Sequence, residues 1–389
     1  MRTIVLVLLL ALGAEPVLGE ELALGTREQR DAEALVAGVK TIAMPGVPGT
    51  LSVFGPKAFP VVAAESGGRP APLVGATRHG RGRAVLFGHG YFEAALDVGD
   101  TAALVRNVAA WVAAKPKGRI GVRRFQRIRK LLTDAGHEVV DLDAAGWTQR
   151  LGKLDAAFVP LADVTDAERD VLAKRLKAGL GLVAGMPGWG WQQLNPKKSL
   201  AEDNQANRLL APAGLVWGGE YTKKPKGGRL AVKGVAPALT HAGLALDALI
   251  AQDEGGPKLT KAQSALAVAT VTRAIREAPR ADKLLLPRLG KLLKHADDPR
   301  YVPSAKDPVS DEQGLGKLLL TLQFQRDAGL PPDRIRAHPA AAVFPGAVPR
   351  KARRITKTFE LDLATPGWRS TGLYAPPGGV VVVTTARDA

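Results

Sequence analysis

The chain has 389 residues, with 54 Lys and Arg against 37 Asp and Glu, a formal net charge of +17 and no cysteine. The absence of cysteine excludes a disulfide scaffold, a thiolate nucleophile and cysteine-ligated zinc, and with them the Cys-dependent glutamine amidotransferases. The length suffices for about two or three domains. The positive charge predicts attraction to polyanions at low salt, although a solvated basic surface is the simpler explanation.

The first 19 residues have the pattern of a signal peptide. Met1 and Arg2 form a short positive region, residues 4–12 are almost all Leu, Val or Ile, and residues 17–19 suit cleavage. The apolar run is shorter than the roughly 20 residues of a membrane span, which leaves an uncleaved anchor as the alternative. We therefore expect a secreted or periplasmic protein with no membrane span after signal cleavage.

Residues 20–113 predict a short helix followed by a β-rich segment. Apolar runs between Gly and Pro punctuation are typical of short strands. These runs are residues 51–54, 58–62, 73–76 and 84–87. Gly80 and Gly82 favour a hairpin turn before the last of them. Asp100 is placed to cap a helix that continues to Val112.

Residues 114–257 alternate between strand and helix. The predicted strands are residues 120–122, 138–142, 156–160 and 181–185, and the predicted helices are residues 125–135 and 165–177. Gly136 is placed to close the first helix. Short connections between alternating elements favour a small parallel sheet covered by helices, of flavodoxin or Rossmann type.

The sequence pattern changes twice more in the remainder of the chain. Residues 258–330 predict a helical subdomain of three helices separated by prolines. Its third helix is marked by Leu315, Leu318, Leu319 and Leu322. Residues 331–367 resemble a proline-dotted linker, in which residues 359–363 alternate like a half-buried strand.

Histidine patterns are the first candidates for chemistry. The segment His137-Glu138-Val139-Val140-Asp141 approximates the His-Glu-x-x-His pattern of zinc hydrolases but ends in Asp. It lies in a predicted strand, where residues four apart stand about 13 Å from each other and cannot share a metal. His79 and His89 flank a predicted hairpin strand and could approach each other, with structural hydrogen bonding the simpler role.

The loop of residues 185–190 follows a predicted strand, where a parallel sheet places ligand loops. It lacks the dinucleotide fingerprint and a Walker lysine. Trp189 and Trp191 are the candidate ligand-binding residues, because an indole can stack on a sugar or base. Large aromatics in glycine loops also plug crevices between domains, and both interpretations stay open.

A basic run could bind an acidic polymer. Its members are Lys115, Lys117, Arg119, Arg123, Arg124, Arg127, Arg129 and Lys130. Only one aromatic, Phe125, lies among them, and the predicted export makes nucleic acid an unlikely partner.

Several segments resemble the amino-terminal, non-catalytic region of enhancin-like zinc metallopeptidases (peptidase family M-sixty) and the related TRP-channel-associated factors. They are residues 54–62, 81–89, 207–214, 344–346 and 368–378. The last, Trp-Arg-Ser-Thr-Gly-Leu-Tyr-Ala-Pro-Pro-Gly, is the most specific and resembles the opening strand of the peptidase domain. The similarity covers about residues 40–384 in patches, and none of these motifs is catalytic.

The resemblance implies a degenerate amidotransferase-like α/β domain, a helical region and then a zinc peptidase acting on glycoproteins such as mucins. In such families the zinc ligands and the general base follow the last motif, whereas only residues 379–389 follow it here. Residues 368–389 therefore resemble a truncated start of the peptidase domain. We predict no catalytic, cofactor or metal-binding residue in this chain, with zinc belonging to the parent family.

Two functions follow from different classes. The first is an exported accessory or targeting module that binds a surface glycan or glycoprotein through its α/β crevice. The second is the front part of a zinc metallopeptidase whose catalytic half is missing from this chain. A hydrolase using Ser or Asp is disfavoured, because the sequence has no Gly-x-Ser-x-Gly elbow.

Overall fold

The computed structural model describes residues 23–90, 93–296, 298–310, 313–342, 346, 348–349, 351–360, 364 and 367–385. The chain forms two compact units, with the boundary between Leu286 and Pro287. The predicted signal peptide lies outside the described residues. No helix in the described ranges is long and apolar enough to cross a bilayer.

The helices and strands of the described chain are short. The helices of the chain are α1 (Thr26–Val36), α2 (Thr101–Ala113), α3 (Gln126–Asp134), α4 (Asp166–Ala178), α5 (Gly188–Leu194), α6 (Leu200–Asp203), α7 (Gln205–Leu210), α8 (Ala242–Asp253), α9 (Lys261–Glu277), α10 (Leu286–Leu293) and α11 (Gly314–Ala328). The strands are β1 (Thr41–Ala43), β2 (Gly49–Val53), β3 (Ala58–Ser66), β4 (Arg69–His79), β5 (Gly82–Phe87), β6 (Arg119–Val122), β7 (Glu138–Asp141), β8 (Ala156–Phe158), β9 (Gly181–Gly185), β10 (Leu215–Tyr221) and β11 (Arg229–Ala231).

Seven strands form one sheet in the order β3-β4-β5-β9-β8-β6-β7. The first three make an antiparallel meander, and the remaining pairs are all parallel. The β-rich segment predicted at residues 20–113 and the α/β segment predicted at 114–257 therefore contribute strands to the same sheet. The mixed α/β class expected from the sequence is confirmed.

A second layer covers part of this sheet. Strands β2 and β10 pair antiparallel, with Trp217 opposite Leu51, although 160 or more residues separate them in the chain. This ribbon packs on β4 where Gly75 has no side chain. A Cβ atom at Gly75 would lie 2.8 Å from Cδ1 of Leu215. Strands β1 and β11 form a second antiparallel pair.

The sheet is buried on both faces. Helices α1, α2 and α3 contribute to the core on one face, while α4, α7 and the β2–β10 ribbon contribute to the core on the other. The largest fully buried side chains include Trp147, Trp217, Phe59 and Phe158. Burial of each such side chain contributes roughly 2–3 kcal/mol of hydrophobic free energy. Packing therefore holds together a unit that has no disulfide.

Helix ends follow the sequence signals with one exception. Thr165 begins α4 with a capping box, in which its hydroxyl accepts from the backbone N–H of Glu168. Gly136 follows α3 with φ of +83°, a conformation that glycine adopts without strain. Asp100 precedes α2 as expected, but its carboxylate accepts from the backbone N–H groups of Lys40 and Thr41 instead of capping the helix.

The second unit contains most of α10, then α11, short 3-10 turns and extended chain. Its four predicted leucines are buried on α11. Residues 359–360 and 380–385 form no strand, and residues 361–363 of the expected alternating strand lie outside the described part. Gly378 lies against Pro332, since a Cβ there would be 2.0 Å from the Pro332 carbonyl oxygen. Trp368 is fully exposed.

Candidate functional site

The carboxyl ends of five parallel strands meet at one edge of the large sheet. The chain leaves β6 for β7 on one side and then returns to β8 on the other side of β6. Such a reversal of strand order opens a crevice at the carboxyl ends of the two strands that it separates. The candidate site is therefore the crevice between the ends of β6 and β8.

Backbone hydrogen bonds continue past the strand ends and shape this crevice. The N–H of Arg123 donates to the carbonyl of Phe158 at 3.0 Å, which ties the end of β6 to the end of β8. Arg124 follows with φ of +66°, an unusual value for a residue other than glycine. Its N–H donates to Oδ1 of Asp143 at 2.7 Å. Strained backbone of this kind clusters at functional sites.

Most of the basic run seen in the sequence is neutralised by carboxylates. The ion pairs are Lys115–Asp155, Arg119–Glu138, Arg124–Asp163, Arg127–Asp97, Arg129–Asp141, Arg129–Asp143 and Lys130–Asp134, with distances of 2.7–3.0 Å. The hydrogen bond from Arg129 holds the pKa of Asp141 below its ordinary range. An acidic polymer would have to compete with these pairs, so the run is not an open basic surface.

Arg123 is different from its neighbours in the run. Its guanidinium carbon lies 4.9 Å from the centroid of the Trp147 ring. Its Nε and Nη1 atoms are buried without a hydrogen-bond partner, as are the Nε atoms of Arg119 and Arg129. Arg119 and Arg129 form ion pairs, whereas Arg123 and Lys117 have no carboxylate within ion-pair distance among the residues the structure describes.

The carboxylate of Glu168 bonds the tryptophan of this stacked pair. Glu168 accepts hydrogen bonds from Nε1 of Trp147 at 2.6 Å and from the backbone N–H of Thr165 at 2.8 Å. Burial raises the pKa of Glu168, but these hydrogen bonds and the positive charge of Arg123 outweigh it and the net pKa is lowered. Glu168 therefore stays ionised and orients the Trp147 ring beneath Arg123.

The loop after β9 places both candidate tryptophans at the same sheet edge. Trp189 and Trp191 lie on α5, and both are partly buried. Nε1 of Trp189 donates to the carbonyl of Val47 at 3.1 Å, which fixes that ring against the preceding loop. Gly188 begins α5 in close contact with the ribbon, since a Cβ there would be 2.3 Å from the Gly218 carbonyl oxygen.

The histidine candidates do not converge. His79 pairs with Gly82 at the start of β5, whereas His89 follows the end of β5, so the two stand about 20 Å apart. The expectation that they could approach each other is wrong. His137 lies just before β7, and its Nδ1 accepts from the backbone N–H of Gly118 at 3.0 Å.

A small cavity of about 30 Å³ adjoins His89. Its other lining residues are Ile42, Ala43, Pro45, Pro48, Leu73, Val74, Phe87, Gly88, Thr101 and Leu104. Burial lowers the pKa of His89 to about 4, so its imidazole is neutral at physiological pH. The volume suits one or two water molecules and excludes a sugar or cofactor. Across the described ranges, no three His, Asp or Glu side chains are grouped closely enough to hold a metal ion.

A buried cluster of polar residues was not predicted from the sequence. Glu277, only 7% exposed, accepts from the hydroxyl of Ser52 and from the N–H of Gly219, the latter at 3.0 Å. Burial raises the pKa of Glu277 to about 7. Arg273 donates to Glu220 at 2.9 Å beside it. The available signal was helical spacing, because Glu277 continues the buried face of α9 three residues after Ala274.

The family model TCAF_N, described as "TRPM8, N-terminal domain", matches residues 16–227, more than half of the chain. The chain belongs to this family. The match includes the motifs at residues 54–62, 81–89 and 207–214, and it confirms the resemblance that they indicated. The motif at residues 368–378 lies beyond it.

Three curated relatives align with part of this chain. TRPM8 channel-associated factor 2 from Bos taurus is 28% identical over 193 residues, covering 48% of this chain and 19% of the relative. A TRPM8 channel-associated factor homolog from Danio rerio is 26% identical, covering 49% and 20%. Factor 1 from Bos taurus is 29% identical, covering 43% and 17%. The aligned part thus spans about a fifth of these relatives.

Solved structures with a likeness to this chain include those of IMPa from Pseudomonas aeruginosa. The complex with an O-glycopeptide gives a TM-score of 0.46 at 14% identity, covering 79% of this chain and 39% of that chain. The IMPa metallopeptidase structure gives a TM-score of 0.41 at 15% identity, covering 81% and 36%.

Proposed function

We propose that this chain is an exported, non-catalytic recognition module that binds a surface glycan or glycoprotein. Two features that lie at the same edge of the large sheet support this proposal. These are Arg123 and Arg124 at the end of β6, where the strand order reverses, and the tryptophan-bearing helix α5 after β9. Polar groups beside amphipathic aromatic rings are the usual composition of a ligand site.

The strand order supports a finer fold assignment. The sequence β7-β6-β8-β9-β5 across the sheet corresponds to the order 2-1-3-4-5 of flavodoxin-like proteins, if β5 takes the place of the fifth strand. Proteins of that type bind ligands at the point where the order reverses. We infer an amidotransferase-like domain of degenerate kind, without the cysteine nucleophile, that keeps this crevice for binding.

The two tryptophans supply the sugar-binding part of the proposal. An indole presents a flat apolar face that stacks on a sugar ring while its N–H is bound elsewhere. The N–H of Trp189 is bound to Val47, so a ligand would contact the ring face and not the N–H. The same hydrogen bond would also fix a ring that only fills a crevice. Binding by a variant without the ring distinguishes the two roles.

Export is part of the proposal and has its own test. The amino-terminal pattern of residues 1–19 supports cleavage by signal peptidase. Expression of the full chain in the source cell, fractionation and amino-terminal sequencing should yield a chain that begins near residue 20. Retention of Met1 in a membrane fraction would instead support the uncleaved anchor.

A glycan-array screen of the full chain tests the binding claim. Trp189→Ala and Trp191→Ala should each weaken binding of any glycan that scores. Trp368→Ala is the matched control, because Trp368 is fully exposed in the second unit. Equal binding by all variants would remove the two tryptophans from the site, and an array without any hit would exclude a glycan ligand.

A protein partner is the second candidate for this module. The relatives carry the name TRPM8 channel-associated factor, which makes a channel-type membrane protein a partner class worth testing. Pull-down of membrane proteins from the source organism with the immobilised chain, against the Trp189→Ala variant, would detect such a partner.

The front part of a zinc metallopeptidase remains the alternative. The motif at residues 368–378 supports it, because its resemblance is to the opening strand of a peptidase domain. Sequencing the DNA downstream for a His-Glu-x-x-His pattern in any frame decides between the two, and finding that pattern would favour the peptidase.

A further inference from the structure

Arg123 carries hydrogen-bonding capacity that the folded chain does not use. Its Nε and Nη1 atoms, which carry three N–H groups, are covered and have no partner among the described residues, although the other arginines of the same run are held by carboxylates. A buried donor without an acceptor is rare in folded proteins, and more so when it belongs to a charged group. A hydrogen-bond acceptor supplied by a ligand would pair these donors.

The position of Arg123 is that of a ligand-binding residue. It is the first residue after β6, at the point where the strand order reverses, and its backbone N–H bridges to the end of β8. The next residue, Arg124, has the positive φ described above. These two observations are independent of the missing partner, and both indicate a site at this edge.

No carboxylate of the described residues hydrogen-bonds the guanidinium of Arg123. Asp163 is paired with Arg124, Asp143 with Arg129, and Glu168 accepts from Trp147 and Thr165. The positive charge of Arg123 lowers the pKa of Glu168 through space, but no hydrogen bond joins the two side chains. The net charge of +17 adds a general attraction for anions.

We propose that Arg123 forms an oxyanion-binding site in the crevice between β6 and β8, taking a carboxylate, sulfate or phosphate group. Binding through Nε or Nη1 requires the guanidinium to turn away from the Trp147 ring, because these two atoms are covered in the stacked position. Charge-assisted hydrogen bonds from arginine to an oxyanion are among the strongest in proteins. The glycan arm of this inference rests on the proposed function and narrows it to acidic glycans.

Calorimetric titration of the full chain tests the site directly. The probes are sodium phosphate, sodium sulfate and sodium N-acetylneuraminate at constant ionic strength, so that inorganic anions and an acidic sugar are separate arms. We expect saturable binding of at least one probe at one site per chain, accompanied by a change in tryptophan fluorescence. The Trp147→Phe variant should keep the heat of binding and lose most of the fluorescence change.

Charge-matched variants separate a site from general attraction. Arg123→Gln should weaken binding by about ten-fold or more, and Arg123→Lys, which keeps the charge but loses the planar fork, should fall between. Lys130→Gln is the control, since Lys130 belongs to the same run and is exposed on α3 beside Asp134. Circular dichroism confirms that each variant is folded.

Three results would overturn the inference. They are no saturable binding of any probe, unchanged binding by Arg123→Gln, or an equal loss in Lys130→Gln. The glycan array then separates this inference from the proposed function. Binding of neutral glycans that is insensitive to Arg123 keeps the module but removes the anion site, whereas anion binding without any array hit keeps the site but removes the glycan.

Discussion

Ionisation of Glu277 opposes folding, so Glu277→Gln should make the stability of this chain less sensitive to pH. Burial raises the pKa of Glu277 from its ordinary 4.5 to about 7. The folded state therefore holds this proton more tightly than the unfolded chain does. The resulting stabilisation is fully present below about pH 4.5 and is lost as pH rises through about 7.

The magnitude follows from the two pKa values. The difference between 4.5 and about 7 corresponds to about 3 kcal/mol, at about 1.4 kcal/mol for each pH unit. About 2 kcal/mol of this stabilisation is lost between about pH 5.5 and about pH 8.5, as the linkage of proton binding to folding requires. Glutamine keeps the geometry, because its carbonyl oxygen can accept from Gly219 and its amide can donate to the Ser52 hydroxyl.

Urea unfolding at the two pH values provides the assay. The difference in unfolding free energy between Glu277→Gln and the wild-type chain should shift by about 2 kcal/mol in favour of the variant as pH rises. Glu254→Gln, at the exposed end of α8, is the control and should show no such shift. An equal difference at both pH values would refute the assignment of a proton to buried Glu277.

Two further predictions concern the β2–β10 ribbon. Asn207→Ala should lower the unfolding free energy by about 2–4 kcal/mol, because Asn207 is fully buried and bonds both the N–H and the carbonyl of Trp217. Urea unfolding within about 0.5 kcal/mol of wild type would contradict this. Gly188→Ala should cost about 1–3 kcal/mol through its clash with the Gly218 carbonyl, and Gly190→Ala, whose Cβ meets only Pro187, should cost less. Thermal melts of both variants compare them, and equal melting temperatures would contradict the close approach.

Local signals predicted many elements of the first unit. The predicted helix at residues 165–177 and the glycine at 136 agree with α4 and the end of α3, and the β4–β5 hairpin followed from Gly80 and Gly82. Helical spacing placed the buried leucines of α11. Each of these signals depends on residues within one turn of helix or one hairpin, which is why the sequence carries them.

Long-range pairing could not be read in the same way. Strand β10 was missed, because its partner β2 lies far away in the chain and the register depends on close approach at glycines such as Gly75. The parallel pairing of β5 with β9, which joins two predicted segments into one sheet, has no local signature.

The ion pairs of the candidate site could not be predicted from the sequence for the same reason. The basic run was visible in the sequence, but its carboxylate partners come from separate loops, such as Asp97 for Arg127 and Asp163 for Arg124. Only the folded chain distinguishes Arg123 from the others. Glu277 likewise follows from helical spacing only once the buried face of α9 is known.

Hydrogen–deuterium exchange of the full chain, with and without the ligand selected by the array or the pull-down, shows where on the fold a ligand binds. We expect slower exchange in the loops after β6, β8 and β9, which include Arg124, Asp163 and Trp189. Protection confined to residues 287–385, with those loops unchanged, would contradict recognition at the carboxyl edge of the sheet.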